Sequence, residues 1–249
     1  MAECRVCGAP MAQFMSYGKM PIANGFLKKE QFVDEYFFEL APAFCDKCSM
    51  FQIVEQPDPK KMFHENYAFF SQTSKRMCEH FKQLSTLMCE KYLPSNDGFV
   101  VELGSNDGIL LKNFKEKNIR HLGVEPSGNV AEVARKSGIN TLCEFFSDSL
   151  ANQIKQEHGQ ADIITSSNVM CHIPDINHIA QGIKTLLKPT GFLIFEDPYL
   201  GDVIEKTSYD QIYDEHVFVF SLHSVQYAFG QVGLELIDIQ HLPTHGGSM

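Results

Sequence analysis

Four cysteines and three carboxylates carry the chemistry written most plainly into this chain. Cys4-x-x-Cys7 and Cys45-x-x-Cys48 are separated by residues 8–44. Each C-x-x-C turn aims two thiolates at one ion, and two such turns complete a tetrahedral set with no open position. The expectation is a structural Zn2+, against a redox pair or unrelated thiols. The carboxylates are Glu102, Asp107 and Glu125. Glu102 and Asp107 belong to a stretch in which an apolar run at 99–101 leads into a turn with glycines at Gly104 and Gly108, followed by Ile109-Leu110-Leu111. A strand, a glycine turn and a helix start form the place where an open α/β sheet holds a cofactor. Glu125 ends a second apolar run, Leu122-Gly123-Val124, where a carboxylate can accept both hydroxyls of a ribose.

The pocket should therefore take a nucleoside, and two kinds compete. A pyrophosphate wants bare backbone N–H groups at a helix N-terminus and no anion nearby. This turn is G-x-x-x-G rather than G-x-G-x-x-G, and its two carboxylates would repel a diphosphate at close range. They suit a ligand bearing a sulfonium and an ammonium, which points to S-adenosylmethionine, held by Glu102, Gly104, Asn106, Asp107, Gly108 and Glu125.

Bulk properties exclude other classes. The chain has 249 residues, enough for one α/β domain and a small appendage, and 44% of them are hydrophobic. Its formal net charge of -10 disfavours sequence-independent binding to nucleic acid or to an anionic membrane. No run of 18 apolar residues is present and the N-terminus does not read as a signal peptide, so a cytoplasmic protein with reduced cysteines is expected. The remaining cysteines, Cys78, Cys89, Cys143 and Cys171, stand singly and read as small buried hydrophobes.

The elements that must position these groups follow from periodicity. Residues 1–56 form the cysteine module, with strand-like pieces near 37–40 and 51–54. Pro57-Asp58-Pro59 marks a joint, and residues 57–98 join the module to the core through a helix over 74–92, set by Met77, Phe81, Leu84 and Met88. From 99 to 249 strands and helices alternate: strand 99–103, helix 107–117, strand 121–125, helix 128–137 capped by Ser127 and stopped at Gly138, strand 139–143, helix 147–157, strand 161–166, helix 175–187, strand 191–196. After an insertion, a helix at 222–231 and a strand at 233–239 complete six strands. Such alternation specifies a mostly parallel, Rossmann-like sheet with helices on both faces. A seventh strand is due where the chain stops, at 244–249, so the core is expected to be truncated there.

On these motifs the chain resembles the class I methyltransferases. Within them it resembles the nucleotide-sugar C-methyltransferases of deoxysugar biosynthesis, which join a four-cysteine zinc module to a methyltransferase core. The matching residues are Cys4-Arg5-Val6-Cys7-Gly8, Pro21-Ile22-Ala23-Asn24, Cys45-Asp46-Lys47-Cys48, the 102–108 turn, Ser167-Asn168-Val169, Tyr213-Asp214-Glu215-His216 and Thr244-His245-Gly246-Gly247-Ser248. The last two are the most specific. Family members usually continue into a further C-terminal domain, so a cut before that domain is expected.

The resemblance implies a nucleotide-linked 4-keto sugar that loses a proton beside its ketone and is methylated on carbon. That chemistry needs a base, a partner for the enolate oxygen and close orientation. His216 is the expected base, since its insertion follows the fifth strand and its ordinary pKa suits the task. Asp214 or Glu215 could orient the ring or raise its basicity, and the family assigns catalytic roles to the positions matching Glu215 and His216. Tyr67 and Tyr213 could hydrogen-bond the enolate or relay the proton. Asn168 could hold donor or sugar and His172 the keto sugar, although 172–175 could instead simply open a helix at Pro174. One of Phe145 and Phe146, taken as Phe146, should flank adenine. Lys112 to Lys117 read as a solvated helix face. A monomer with a small-molecule substrate is expected. The alternatives are an O- or N-methyltransferase, or a non-catalytic binding module.

Overall fold

A computed structural model describes residues 2–65, 67–93, 95 and 97–249. In chain order the strands and helices begin with β1 (Ala2–Glu3), β2 (Pro10–Gln13), β3 (Lys19–Pro21), β4 (Phe37–Glu39), β5 (Pro42–Cys45), β6 (Met50–Ile53), α1 (Pro59–Met62) and α2 (Lys75–Lys91). They continue with β7 (Phe99–Leu103), α3 (Leu111–Glu116), β8 (Arg120–Val124), α4 (Gly128–Lys136), β9 (Thr141–Leu142), α5 (Asp148–His158) and β10 (Ala161–Ser167). The last are α6 (Ile176–Leu186), β11 (Leu187–Glu196), α7 (Leu200–Glu205), β12 (Phe218–Val219) and α8 (Leu222–Gly230). No helix among the described residues is long and apolar enough to cross a membrane.

Two compact units interleave along the chain. One holds 1–62, 168–180 and 196–249; the other holds 63–167 and 181–195. The divisions 1–56, 57–98 and 99–249 drawn from the sequence follow chain order, whereas these units are defined by packing.

The second unit contains a five-stranded sheet in the order β11-β10-β7-β8-β9, with β10, β7, β8 and β9 paired in parallel. The chain steps outward from β7 to β8 and β9, then returns to lay β10 on the other flank of β7. The carboxyl ends of β7 and β10 therefore meet at the point where strand order reverses, the ligand position of such sheets. All of β7 is buried, as a strand covered on both faces must be. Helix α2 packs Phe81 and Met88 into the cluster that holds Val100, Leu110, Leu111 and Phe114. Its N-cap is Ser74, whose Oγ accepts from the Met77 N–H at 3.3 Å.

Three expectations for this sheet change. Helix α3 starts at Leu111, because 104–110 is spent on the turn. Ser127 does stand at the N-cap of α4, but its hydroxyl makes no capping bond. Strand β11 begins at Leu187 and runs through Pro189, which an edge strand tolerates because its outer N–H positions need no ladder partner.

The first unit contains a five-stranded antiparallel sheet, β1-β2-β5-β6-β12, beside the β3–β4 pair. The expected strand at 233–239 does not form. A strand needs a neighbour to take its backbone groups, and among the described residues none pairs with this segment; Ile237 and Ile239 stay exposed. At 247–249 the backbone pairs instead with 197–199: Met249 N–H donates to Asp197 O at 3.0 Å, Asp197 N–H to Met249 O at 3.1 Å and Tyr199 N–H to Gly247 O at 3.2 Å.

Candidate active site and zinc centre

The cysteine module presents a preformed sulfur cage. Cys4 Sγ lies 3.5 Å from Cys48 Sγ and Cys7 Sγ 3.5 Å from Cys45 Sγ, with all four within 4.8 Å of one another. A zinc ion with bonds of about 2.3 Å to four tetrahedral sulfurs separates them by roughly 3.8 Å, so the set fits Zn2+ with small adjustment. Gly8 N–H donates to Cys4 O and Ser49 N–H to Cys45 O, both at 2.8 Å, closing the two turns. Gly8 and Ser49 sit at φ 69° and 54°, the left-handed conformation that ends such knuckles. Gln52, fully buried, donates from Nε2 to Cys4 Sγ at 3.2 Å and accepts the Arg5 N–H on Oε1 at 3.1 Å. A donor on sulfur spreads thiolate charge, the usual work of the groups behind a metal's ligands.

The acid turn lies wholly in the parallel-sheet unit. Gly104, Asn106 and Gly108 have φ of 66°, 48° and 83°, so the turn winds tightly. Gly104 N–H donates to Val124 O at 2.7 Å, which ties the turn to the end of β8. Glu125 accepts Asn106 N–H at 2.9 Å on one oxygen and Ser127 N–H at 2.8 Å on the other. Asn106 Oδ1 accepts the Ser71 N–H at 3.0 Å, and Asp107 Oδ2 accepts the Gln72 N–H at 2.9 Å. Neither Ser71 nor Gln72 was marked by the sequence, because no spacing signals a loop that folds back from 35 residues away. Glu102 Oε2 and Asp107 Oδ1 are buried without a hydrogen-bond partner.

Those orphan oxygens set the electrostatics. Burial pushes the Glu102 carboxyl well above its ordinary range, and Glu125 and Asp107 push it further. Burial also raises Asp107 and Glu125, against the N–H groups that favour their charged forms. Lys112 relieves only Asp107, and the buried oxygens of Glu102 and Asp107 that have no partner are what a sulfonium and an ammonium would satisfy, so these residues fit S-adenosylmethionine. Phe146 is half-buried against Gly182, where an added Cβ would stand 3.2 Å from its ring, while Phe145 is exposed. Tyr67 belongs to the same unit; its ring packs on Phe63 at 5.6 Å between centroids and its carbonyl accepts from Asn129 Nδ2 at 2.7 Å. Of the 112–117 run, Lys112 bonds Gln72 Oε1 at 3.1 Å and Lys115 bonds Ser137 O at 2.7 Å, while Glu116 and Lys117 are exposed.

The other unit gathers the imidazoles. The rings of His172 and His216 stack with centroids 5.4 Å apart and planes at 24°. His216 Nδ1 donates to Gln211 O at 2.8 Å, and its Nε2 lies 3.3 Å from the Tyr213 hydroxyl. A backbone carbonyl therefore orients the ring. The expected carboxylates do not: Asp214 Oδ1 accepts the Ala23 N–H at 3.2 Å and Glu215 Oε1 the Asn24 side-chain N–H at 2.6 Å. Burial raises both carboxyl groups; the Asn24 donor opposes this at Glu215 and Asp214 adds to it. Burial, the Gln211 contact notwithstanding, drops His216 to about 4, with His245 adding to the fall, so its ordinary value does not hold. Burial likewise pushes His172 well down, helped by His216 and His245.

His172 ends a short 3-10 turn, Met170–His172, and Pro174 precedes α6 rather than opening it. Asn168 adopts φ 53°, donates its N–H to Glu196 O at 2.7 Å and leaves its buried Oδ1 without a partner. The single cysteines do not behave alike. Cys143 is exposed and Cys78 and Cys89 half-buried; Cys171 is fully buried, and its thiol lies with His172 and His216 ring nitrogens within 4.8 Å of one another. Asp197, also missed, accepts the Cys171 N–H at 3.3 Å and is pushed by burial to about 7.

Comparison with known proteins agrees with this geometry. The methyltransferase domain family model matches residues 69–239, and a zinc binding domain model matches 4–63. C-methyltransferase NovU from Streptomyces niveus is 31% identical over 249 residues, covering 99% of this chain and 59% of that protein. A ubiquinone biosynthesis O-methyltransferase from Actinobacillus pleuropneumoniae is 30% identical over 102 residues, covering 39% of this chain and 44% of that one. The chain thus spans only about three-fifths of the longer-matching relative. The fold is shared with the PH0226 protein from Pyrococcus horikoshii, at a TM-score of 0.55 and 13% identity over 72% of this chain and 91% of that one. With the match at 69–239 spanning the acid turn, the parallel sheet and the Tyr213–His216 stretch, this chain belongs to the methyltransferase domain family, in the class I S-adenosylmethionine-dependent fold, and carries a four-cysteine zinc-binding domain.

Proposed function

We propose that the protein transfers a methyl group from S-adenosylmethionine to a carbon next to the ketone of a nucleotide-linked 4-keto deoxysugar. The observation that carries this reading is a buried imidazole whose Nδ1–H is spent on Gln211 O, leaving the Nε2 lone pair beside a tyrosine hydroxyl. A heteroatom nucleophile already has a lone pair; a carbon acid must first lose a proton to a base. The similarity to a C-methyltransferase over the whole chain supports the same choice.

In this reading Glu102, Asp107 and Glu125 bind the donor, whose part is to present an electrophilic methyl. The backbone of Gly104, Asn106 and Gly108 keeps the turn close to it, and Phe146 flanks its adenine. Asn168 Oδ1 and His172 bind the sugar. His216 takes the proton at Nε2. At a pKa of about 4 the free ring is neutral, which a base requires, but weak. Negative charge developing on the enolate beside it raises its proton affinity at the moment of transfer. Tyr213, 3.3 Å from Nε2, can donate to the enolate oxygen or pass the proton on. Glu215 is held away from the ring by Asn24 at 2.6 Å.

The test separates proton abstraction from methyl transfer. The full chain with a nucleoside-diphosphate 4-keto deoxysugar in deuterated water should exchange the hydrogen next to the ketone, and His216→Asn should slow this by roughly 10²–10⁴-fold. S-adenosylmethionine should bind the variant with unchanged heat. Full turnover by His216→Asn would overturn the reading and point to a heteroatom acceptor.

A further inference from the structure

We propose that Cys171, His172 and His216 form a second cation site, apart from the four-cysteine cage, that takes a borderline-soft divalent ion such as Zn2+ or Cd2+ and thereby occupies the Nε2 lone pair of His216. The three donor atoms lie within 4.8 Å of one another, and one sulfur with two imidazole nitrogens is a donor set chosen by zinc-like ions over Mg2+ or Ca2+. Three protein ligands leave a fourth position open, as in reactive rather than structural zinc sites.

Two further features prepare the trio for a metal. His216 donates its other ring N–H to a backbone carbonyl, Gln211 O at 2.8 Å, the arrangement that fixes the tautomer of metal-bound histidines. Asp197, with no exposed surface, holds the Cys171 N–H at 3.3 Å and keeps a buried oxygen, Oδ2, without a partner. Binding replaces the Cys171 S–H bond with a metal–sulfur bond and releases one proton, which Asp197 can accept before it passes to water. A divalent ion on one thiolate and two neutral rings keeps one positive charge, which the Asp197 carboxylate balances.

The trio's donor atoms lie within the same 4.8 Å of one another as the four sulfurs of the cage. Donors around a tetrahedral zinc stand roughly 3.3–3.8 Å apart, a spacing that falls inside that bound. With one thiolate and two imidazoles where the cage has four thiolates, the second ion should bind more weakly than the first and come off reversibly. The inhibitory part of the inference rests on the proposed role of His216; the binding part does not.

Titrating the zinc-loaded full chain with Cd2+ reads the site directly. A second ion should bind with a cadmium–thiolate absorption band, and Cys171→Ser should abolish that band. His172→Gln, a variant that keeps the buried thiol, should weaken the second ion by roughly 10–100-fold. A wild-type chain that takes up no ion beyond the cage, or a second ion indifferent to both substitutions, would overturn the site. Deuterium exchange into the keto sugar should stop as the second ion binds. Exchange that continues with the ion bound would overturn the inhibition alone, while loss or survival of exchange in His216→Asn reports separately on the proposed function.

Discussion

Gly123 on β8 is the residue on which the acid turn rests, and replacing it by alanine should damage fold and donor binding together. It lies opposite Glu102 in the register of β7 and β8. A Cβ there would stand 2.9 Å from the Ser105 Cβ, 3.1 Å from Leu111 Cδ1 and 2.4 Å from the Ser105 hydroxyl oxygen. Neither neighbour can yield easily, since Ser105 and Leu111 are wholly buried. Overpacking of this kind costs about 1–3 kcal/mol. For a chain of this size each kcal/mol lowers Tm by about 2–4 °C, so Gly123→Ala should melt some 2–12 °C lower. The contact also predicts its own rescue. Ser105→Ala in the Gly123→Ala background removes only the hydroxyl clash and should restore part of the loss. Ser105→Gly removes the Cβ contact too and should restore more, less the roughly 0.5–1 kcal/mol that an added glycine costs. Calorimetric melts give the stability series and titration with S-adenosylmethionine the affinities. An unchanged Tm and affinity in Gly123→Ala, or additive effects of the Gly123 and Ser105 changes, would refute the reasoning, because touching residues must show a coupling energy.

Glu102→Gln should reveal the strain of the carboxyl cluster through pH. A carboxyl whose folded pKa is raised binds its proton more tightly folded than unfolded, so wild-type stability falls as pH rises from about 4.5 through the raised value. The glutamine cannot ionise, so its Tm advantage over wild type should grow across that window in melts without ligand, and a constant difference would contradict the assignment. The same variant should bind S-adenosylmethionine more weakly at neutral pH, since a buried carboxylate about 4 Å from a cation contributes up to about 4 kcal/mol at an effective dielectric of 20. Gln52→Leu removes the donor on Cys4 Sγ and the acceptor of Arg5 N–H. It should release zinc to a chelator at roughly 10–100-fold lower competitor concentration, and unaltered release would show that Gln52 only fills space.

What the sequence determined is what short-range patterns encode. Two C-x-x-C turns carry their own geometry, apolar runs between helical periods specify a parallel sheet, and β7, the glycine turn and Glu125 fall within one βαβ stretch. Each is decided within a few residues or by one repeated period. Only the tertiary structure decided the rest, because it depends on partners far apart in the chain. Asn24 reaches Glu215 across 191 positions, and this displaces Glu215 from the role of orienting His216. A carbonyl, Gln211 O, takes that role, and backbone atoms leave no mark in residue identity. Cys171 read as one more small apolar residue until folding set it beside two imidazoles. The segment 233–239 has a strand's alternation without a strand's neighbour, and pairing is a property of two segments. The pKa values of Glu102 and His216 likewise follow from burial and from the charges around them, which a sequence lists but does not arrange.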